Sequence, residues 1–227
     1  NMVEATVAQT VVDLITKQGR KGVLVFRPGV SEVEATAEAI MALVKRTLRL
    51  NSKQNRKANK DLPQKELDQL VAELREANPL SKLEVATIYG EMEYAERKVS
   101  TEKPKDGHVK VLIGTNVVES GVNIPWLDGG VTCGTGKQQV VRESGALSLE
   151  LVNLSQWRLE QQEGRVKRFG PGVFVLCSDE PWNNRLKETS PEIKRVPLTE
   201  LVMHCASFGV RTDSLTFDYA PETSKIQ

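Results

Sequence analysis

Apolar residues recur at helical spacing over residues 3–18, at Val3, Val7, Val11, Leu14 and Ile15. Gly19 ends that run. Gly22-Val23-Leu24-Val25-Phe26 follows as a short continuous apolar stretch. At that length it predicts a strand covered on both faces, as in a parallel sheet. Arg27-Pro28-Gly29 predicts a turn, and Ser31-Glu32-Val33-Glu34 reads as a capping box opening a helix to about Arg46. Leu83–Ile88, Val109–Ile113, Val131–Cys133 and Gly172–Cys177 read as further strands, separated by amphipathic or polar helical stretches. Alternating short apolar strands and amphipathic helices predict an α/β fold with a mostly parallel sheet and helices on both faces.

Two regions break the alternation. Residues 49–64 are polar and basic without an apolar period, and read as a solvated loop between two helices. Residues 138–154 alternate apolar and polar positions around Glu143-Ser144-Gly145, which predicts a β-hairpin. After Cys177 the chain turns irregular through Ser178–Glu188. Pro197–Phe208 then reads as a short amphipathic helix with Pro197 in its first turn.

Composition narrows the classes of function. The 227 residues carry 31 Lys and Arg against 30 Asp and Glu, a net charge of +1. That excludes gripping nucleic acid by bulk charge, though not by a local basic groove. No apolar run approaches the ~20 residues of a membrane span, and the first residues have no signal-peptide pattern. The three cysteines, Cys133, Cys177 and Cys205, lie far apart without metal-ligand spacing. They point to a reducing compartment, and so to the cytoplasm or nucleus. With two histidines, His108 and His204, there is little room for His-based metal chemistry, and no metal site is expected.

Two segments carry candidate chemistry. If 161–168 is helical, Gln161, Arg165 and Arg168 stand at i, i+4 and i+7 on one face. Two guanidiniums and an amide on one stripe can surround a polyanion such as a triphosphate. Gly164 within that helix costs ~1 kcal/mol against Ala, which points to close approach of a strand or ligand. The other reading is a charged surface helix end. In the second segment, the predicted strand Val111-Leu112-Ile113 runs into Gly114-Thr115-Asn116-Val117-Val118-Glu119-Ser120-Gly121. Strand ends of this kind are where α/β sheets bind ligands. Thr115 and Ser120 offer hydroxyls; an ordinary strand-to-helix turn is the alternative.

Together these segments resemble the second RecA-like domain of a superfamily 2 DEAH/DExH nucleic-acid helicase. Leu24-Val25-Phe26-Arg27-Pro28-Gly29 resembles motif IV, and Ile88-Tyr89-Gly90 the tripeptide that follows it in that family. Gly114 to Ile124 resembles motif V, Gln161 to Arg168 motif VI, and Phe169-Gly170-Pro171-Gly172 the turn after it. The Glu-Ser-Gly-Val form of motif V also resembles the helicases of positive-strand RNA viruses. Pro191 to Arg195 and the Leu198–Gly209 stretch resemble the family's passage into a winged-helix domain. This divides the chain into a RecA-like domain, 1–189, and the start of an extension, 190–227.

The resemblance implies a P-loop NTPase-type fold and a set of roles. Arg165 and Arg168 would be arginine fingers reaching to ATP or another NTP, held with Mg²⁺ mainly on a first RecA-like domain. Gln161 would sense the γ-phosphate, and Ser120 and Gly121 would lie near the nucleotide. Arg27, Gly29, Thr115 and Asn116 would contact single-stranded RNA or DNA, and the hairpin would separate strands. Motif VI departs from the family at Gln162, where an Arg is usual, and at Lys167, where a Gly is usual. No GxxxxGK[ST] and no Asp-Glu-x-His occur in the chain, so the fragment alone is expected to hydrolyse no NTP. Cys133-Gly134-Thr135-Gly136-Lys137-Gln138 lacks the first glycine and the final hydroxyl of a phosphate loop. The competing class is a non-catalytic RecA-like module that docks nucleic acid or protein. The basic residues Lys45, Arg46, Arg49, Lys53, Arg56, Lys57 and Lys60 either track phosphates or form a solvated face. Trp157, with Leu154 before it and Leu159 after it, is expected in the core.

Overall fold

The computed structural model describes residues 2–119, 122–141, 147–195 and 198–219. Five parallel strands form the central sheet: β1 (Gly22–Phe26), β2 (Leu83–Ile88), β3 (Val109–Gly114), β4 (Gly129–Thr132) and β7 (Val173–Leu176). Their order is β2-β3-β1-β4-β7. Parallel pairing sets Val23 opposite Val111 and Gly129, and Phe26 opposite Gly114 and Thr132. The α/β class and the RecA-like sheet read from the sequence are therefore present.

Strand alternation divides the core into two layers. Val23, Val25, Val111, Ile113 and Val131 point to one face. There they meet α1 (Met2–Gln18) through Val7, Val11 and Ile15, and α2 (Val30–Ala58) through Val33 and Ile40. Leu24, Phe26 and Leu112 point to the other face. Val118, Ile124 and Leu127 cover them, with Val166 of α5 (Gln156–Val166). The first helix ends at Gly19, whose φ of 67° lets Arg20 N donate to Leu14 O at 3.0 Å.

Helix α2 departs from the sequence reading twice. It begins from Gly29 without a side-chain cap, and Ser31 Oγ donates to Glu32 instead, so no capping box forms there. It also continues to Ala58, where a loop from residue 49 was expected. The stretch from Arg49 to Ala58 holds no Gly or Pro and is rich in Lys, Arg, Gln and Leu, all good helix formers. Its packing partner is α3 (Gln64–Ala77), which buries Leu67 and Val71. That partner follows in sequence and leaves no periodic apolar mark on residues 49–58.

The hairpin is present as β5 (Thr135–Val141) paired antiparallel with β6 (Leu147–Asn153). The expected turn at Glu143-Ser144-Gly145 lies outside the described residues. Arg185 anchors the base of the hairpin. It is buried, and its guanidinium donates to Gly134 O and Leu154 O. The remaining helices are α4 (Tyr94–Thr101), α6 (Glu192–Arg195) and α7 (Thr199–Ser207). Helix α7 matches the amphipathic stretch expected from 197, although Pro197 itself lies outside the described residues. Among the described residues, no helix is long and apolar enough to cross a membrane.

Candidate functional site

Strand order fixes where a ligand can sit. From β1 the chain passes to β2 and β3 on one side, then to β4 and β7 on the other. The loops leaving β1, β3 and β4 therefore splay apart at the carboxyl edge, as at the switch point of other open α/β sheets. A cavity of about 340 Å³ opens there. Its wall includes Arg27, Gly29, Thr115 and Asn116, the four residues expected to touch a nucleic-acid strand.

These four differ in what they present. Thr115 is buried, with N donating to Ile88 O at 3.2 Å and O accepting from Val118 N. Asn116 is exposed. Gly29 lies against the Lys137 ammonium and the Glu32 carboxylate, which occupy the place a side chain would take. Those two groups pair at 3.4 Å and tie the hairpin to the start of α2. Partial burial raises the Glu32 carboxyl, but its backbone hydrogen bond, Ser31 and Lys137 outweigh this and hold it below the usual range.

Arg27 is placed otherwise than a direct strand contact would require. It is 5% exposed, and its Nη2 donates to Glu4 Oε1 of α1 at 2.8 Å. Its Nε and Nη1 have no hydrogen-bond partner, although Arg27 lines the cavity. Both nitrogens are themselves sealed, so an anion in the cavity would meet them only after the guanidinium shifts.

The opposite wall is a clamp that sequence reasoning missed. Arg158 and Gln162 stand one turn apart on α5 and grip both carboxylate oxygens of Glu119, each at 2.7 Å. Gln162 is 2% exposed, and its Oε1 has no partner. At the sequence level Gln162 reads only as a charge lost from motif VI. In the fold it belongs to the buried face of α5, with Leu159 and Val166. The i, i+4 spacing of Arg158 and Gln162 was the available signal.

The side chains expected to act as fingers and sensor lie elsewhere. Gln161 and Arg165 are on α5, outside its buried set. Helix α5 ends at Val166, so Arg168 follows the helix and is not an i+7 helical position. Val166 abuts Gly130 and Gly172 near the amino ends of β4 and β7, which places Arg165 and Arg168 away from the cavity. Gln161 and Arg168 are exposed and Arg165 is half-buried. No side-chain hydrogen bond or ion pair to a described residue holds any of the three. Arg168 rests over the Phe169 ring at 5.8 Å. Among the described residues, nothing outside its own helix turn lies within 4 Å of a side chain added at Gly164, and no described strand explains that glycine. Ser120 and Gly121 lie outside the described residues.

The aromatic residues divide differently from expectation. Trp157 is 52% exposed, because the buried stripe of α5 is Leu159, Gln162 and Val166 and excludes it. Trp126 is structural: its Nε1 donates to Thr101 O at 2.9 Å, and Lys110 lies over its ring. His108 Nδ1 lies 2.9 Å from Glu84, and His204 is exposed. Among the described residues, no group of three or more His, Cys, Asp or Glu is placed to hold a metal. The stretch from Cys133 is the turn into β5, with Gly134 at φ 67°.

The chain is similar to several known helicases. Residues 63–170 match the helicase conserved C-terminal domain. The ATP-dependent RNA helicase HrpA of Borreliella burgdorferi is 28% identical over 169 residues, covering 72% of this chain and 20% of that protein. The pre-mRNA-splicing factor ATP-dependent RNA helicase DEAH10 of Arabidopsis thaliana is 31% identical over 121 residues, covering 52% of this chain and 17% of that protein. The crystal structure of the E. coli DExH-box NTPase HrpB superposes with a TM-score of 0.72 at 19% identity. That match covers 98% of this chain and 24% of the other. The chain thus spans about a fifth of the length of these relatives. The motif order, the parallel sheet and these matches make the chain similar to the C-terminal RecA-like domain of the DEAH-group helicases, with residues 63–170 matching the helicase conserved C-terminal domain.

Proposed function

We propose that this domain is the second half of a nucleotide-driven motor that moves on single-stranded nucleic acid. RNA is favoured, since the relatives are named RNA helicases. The observation that carries the reading is that no side-chain hydrogen bond or ion pair to a described residue holds Gln161, Arg165 or Arg168. Three unengaged polar groups on one short segment fit the charge of a polyphosphate presented by another domain.

Bound NTP with Mg²⁺ would supply the phosphoryl group and the leaving group. Arg165 and Arg168 neutralise charge that grows on the phosphoryl oxygens, and Gln161 orients the attacking water. Mg²⁺ would be held mainly on a first RecA-like domain. At the carboxyl edge, Thr115, Asn116 and the Gly29 backbone meet the strand, with the unmet donors of Arg27 behind them. Glu119 connects the two regions through Arg158 and Gln162. Residues 190–227 begin a further module, and the 227-residue chain by itself hydrolyses no NTP.

The test uses the complete protein. Arg165→Ala or Arg168→Ala should lower NTP hydrolysis by about 10³–10⁵-fold, with nucleotide affinity by calorimetry unchanged. Retained turnover favours the second reading, a non-catalytic docking module. The observation on that side is Gln162, which is committed to Glu119 and adds no charge to motif VI.

A further inference from the structure

The extension of α2 through residues 45–58 aligns charges that would scatter in a loop. The stretch from Lys45 to Lys60 contains seven basic residues and no acidic one. Six of them, Lys45, Arg46, Arg49, Lys53, Arg56 and Lys57, are on α2 and exposed. At ~100° per residue they fall within an arc of about 120° and span about 18 Å. The buried residues of α2, Val33, Thr36, Ile40 and Val44, lie roughly opposite and stop at Val44. Beyond that point α2 still packs on the core through the half-buried Leu48, and α3 supports it. Arg56 bridges to Asp68 of α3 at 2.7 Å. No ion pair to a described residue holds the other five. Glu38, two turns before Lys45, is the nearest acid on that face of α2.

We infer that this stripe is a second nucleic-acid contact, which binds the phosphate backbone away from the carboxyl-edge cavity. Charge complementarity selects the occupant. The arc is of one sign and carries no aromatic or aliphatic anchor of the kind that protein interfaces are built around. A phosphate backbone needs only regularly placed cations, each of which releases counterions on contact. The cavity lies at the start of α2, where Gly29 and Val30 line it. The stripe begins fifteen residues further on, about 22 Å along the helix. One strand end in the cavity and a flanking segment on α2 therefore belong to separate stretches of the same nucleic acid. The near-neutral chain is then consistent with strong local binding, because the charge is concentrated on one helix face.

The inference rests on the motor reading only for the choice of nucleic acid as ligand. The test is fluorescence anisotropy of a 5′-labelled 20-nucleotide oligo(U) with the complete protein, titrated in KCl. The variant is Lys45→Gln, Arg49→Gln, Lys53→Gln and Lys57→Gln together. It leaves the Arg56–Asp68 bridge in place, and far-UV circular dichroism checks the helix. At about 0.7 per phosphate contact, the slope of log K against log salt should fall by about 2.8. A charge-keeping variant, Lys45→Arg with Lys53→Arg and Lys57→Arg, should retain the slope. An unchanged slope in the glutamine variant overturns the stripe and leaves the motor reading standing. So does displacement of the oligo(U) by a 20-residue poly-glutamate at equal charge concentration, which assigns the stripe to an acidic protein. No RNA binding by the unsubstituted protein sinks both.

Discussion

The Glu4–Arg27 pair decides how Arg27 is used, and it can be broken from one side. Both side chains are nearly sealed, at 8% and 3% exposure, with 2.8 Å between Oε1 and Nη2. Arg27 Nε and Nη1 already lack partners, so among the described residues Glu4 is the one acceptor for this buried cation. Glu4→Ala removes it and leaves the guanidinium uncompensated, which costs about 3–5 kcal/mol. For a chain of this length that is a fall in Tm of about 6–20 °C, at 2–4 °C per kcal/mol. The assay is urea unfolding followed by far-UV circular dichroism, with an unchanged m-value showing that stability alone has moved. The double variant Glu4→Leu with Arg27→Met should lose much less, since replacing both partners by apolar groups is often neutral. A Glu4→Ala loss below about 1 kcal/mol refutes the reasoning. So does a double variant as damaging as the two singles summed. Either result would mean that the guanidinium already turns to solvent or ligand and that Glu4 does not hold it.

Two further outcomes follow from the same site. Arg158→Ala leaves Glu119 held by Gln162 alone; RNA-stimulated NTP hydrolysis in the complete protein should fall at least tenfold while basal hydrolysis changes little, and Arg158→Lys should restore part of the stimulation. Because the Glu32 carboxyl is held below the ordinary 4.5 of a free glutamate, its stabilisation is fully present above that pH. It drains away as pH falls through the lower folded value, so the acid limb of an unfolding curve should flatten in Glu32→Gln.

The sheet was legible because its signal is local. Gly22–Phe26 and Val111–Ile113 are continuous apolar runs, and nothing but a doubly covered strand accommodates them at that length. The hairpin was legible for the same reason, from period-2 alternation. What the sequence hid depends on distant partners. Residues 49–58 are helical because α3 returns to pack on α2, and no apolar period within the segment announces it. Ser31 carries a capping signature, yet Gly29 takes the cap position because Lys137 of the hairpin crowds that turn. Arg27 has its partner twenty-three residues earlier on α1, and Gln162 has its own forty-three residues earlier at Glu119. Trp157 looked like core from its leucine neighbours, but the α5 stripe is set by Leu159, Gln162 and Val166. The likeness of Gln161–Arg168 to motif VI rests on residue types, and the distance of Arg165 and Arg168 from the cavity came only with the path of α5 across the sheet.

The central claim is that Arg165 and Arg168 deliver charge to a nucleotide held by another domain. The most direct measurement is a structure of the complete protein with a nucleotide transition-state analogue such as ADP–aluminium fluoride and oligo(U). The account expects both guanidiniums within hydrogen-bonding reach of the fluoroaluminate, at about 3 Å, with Arg168 drawn off the Phe169 ring. A closed complex in which Arg168 still covers Phe169 and neither guanidinium reaches the analogue would contradict it.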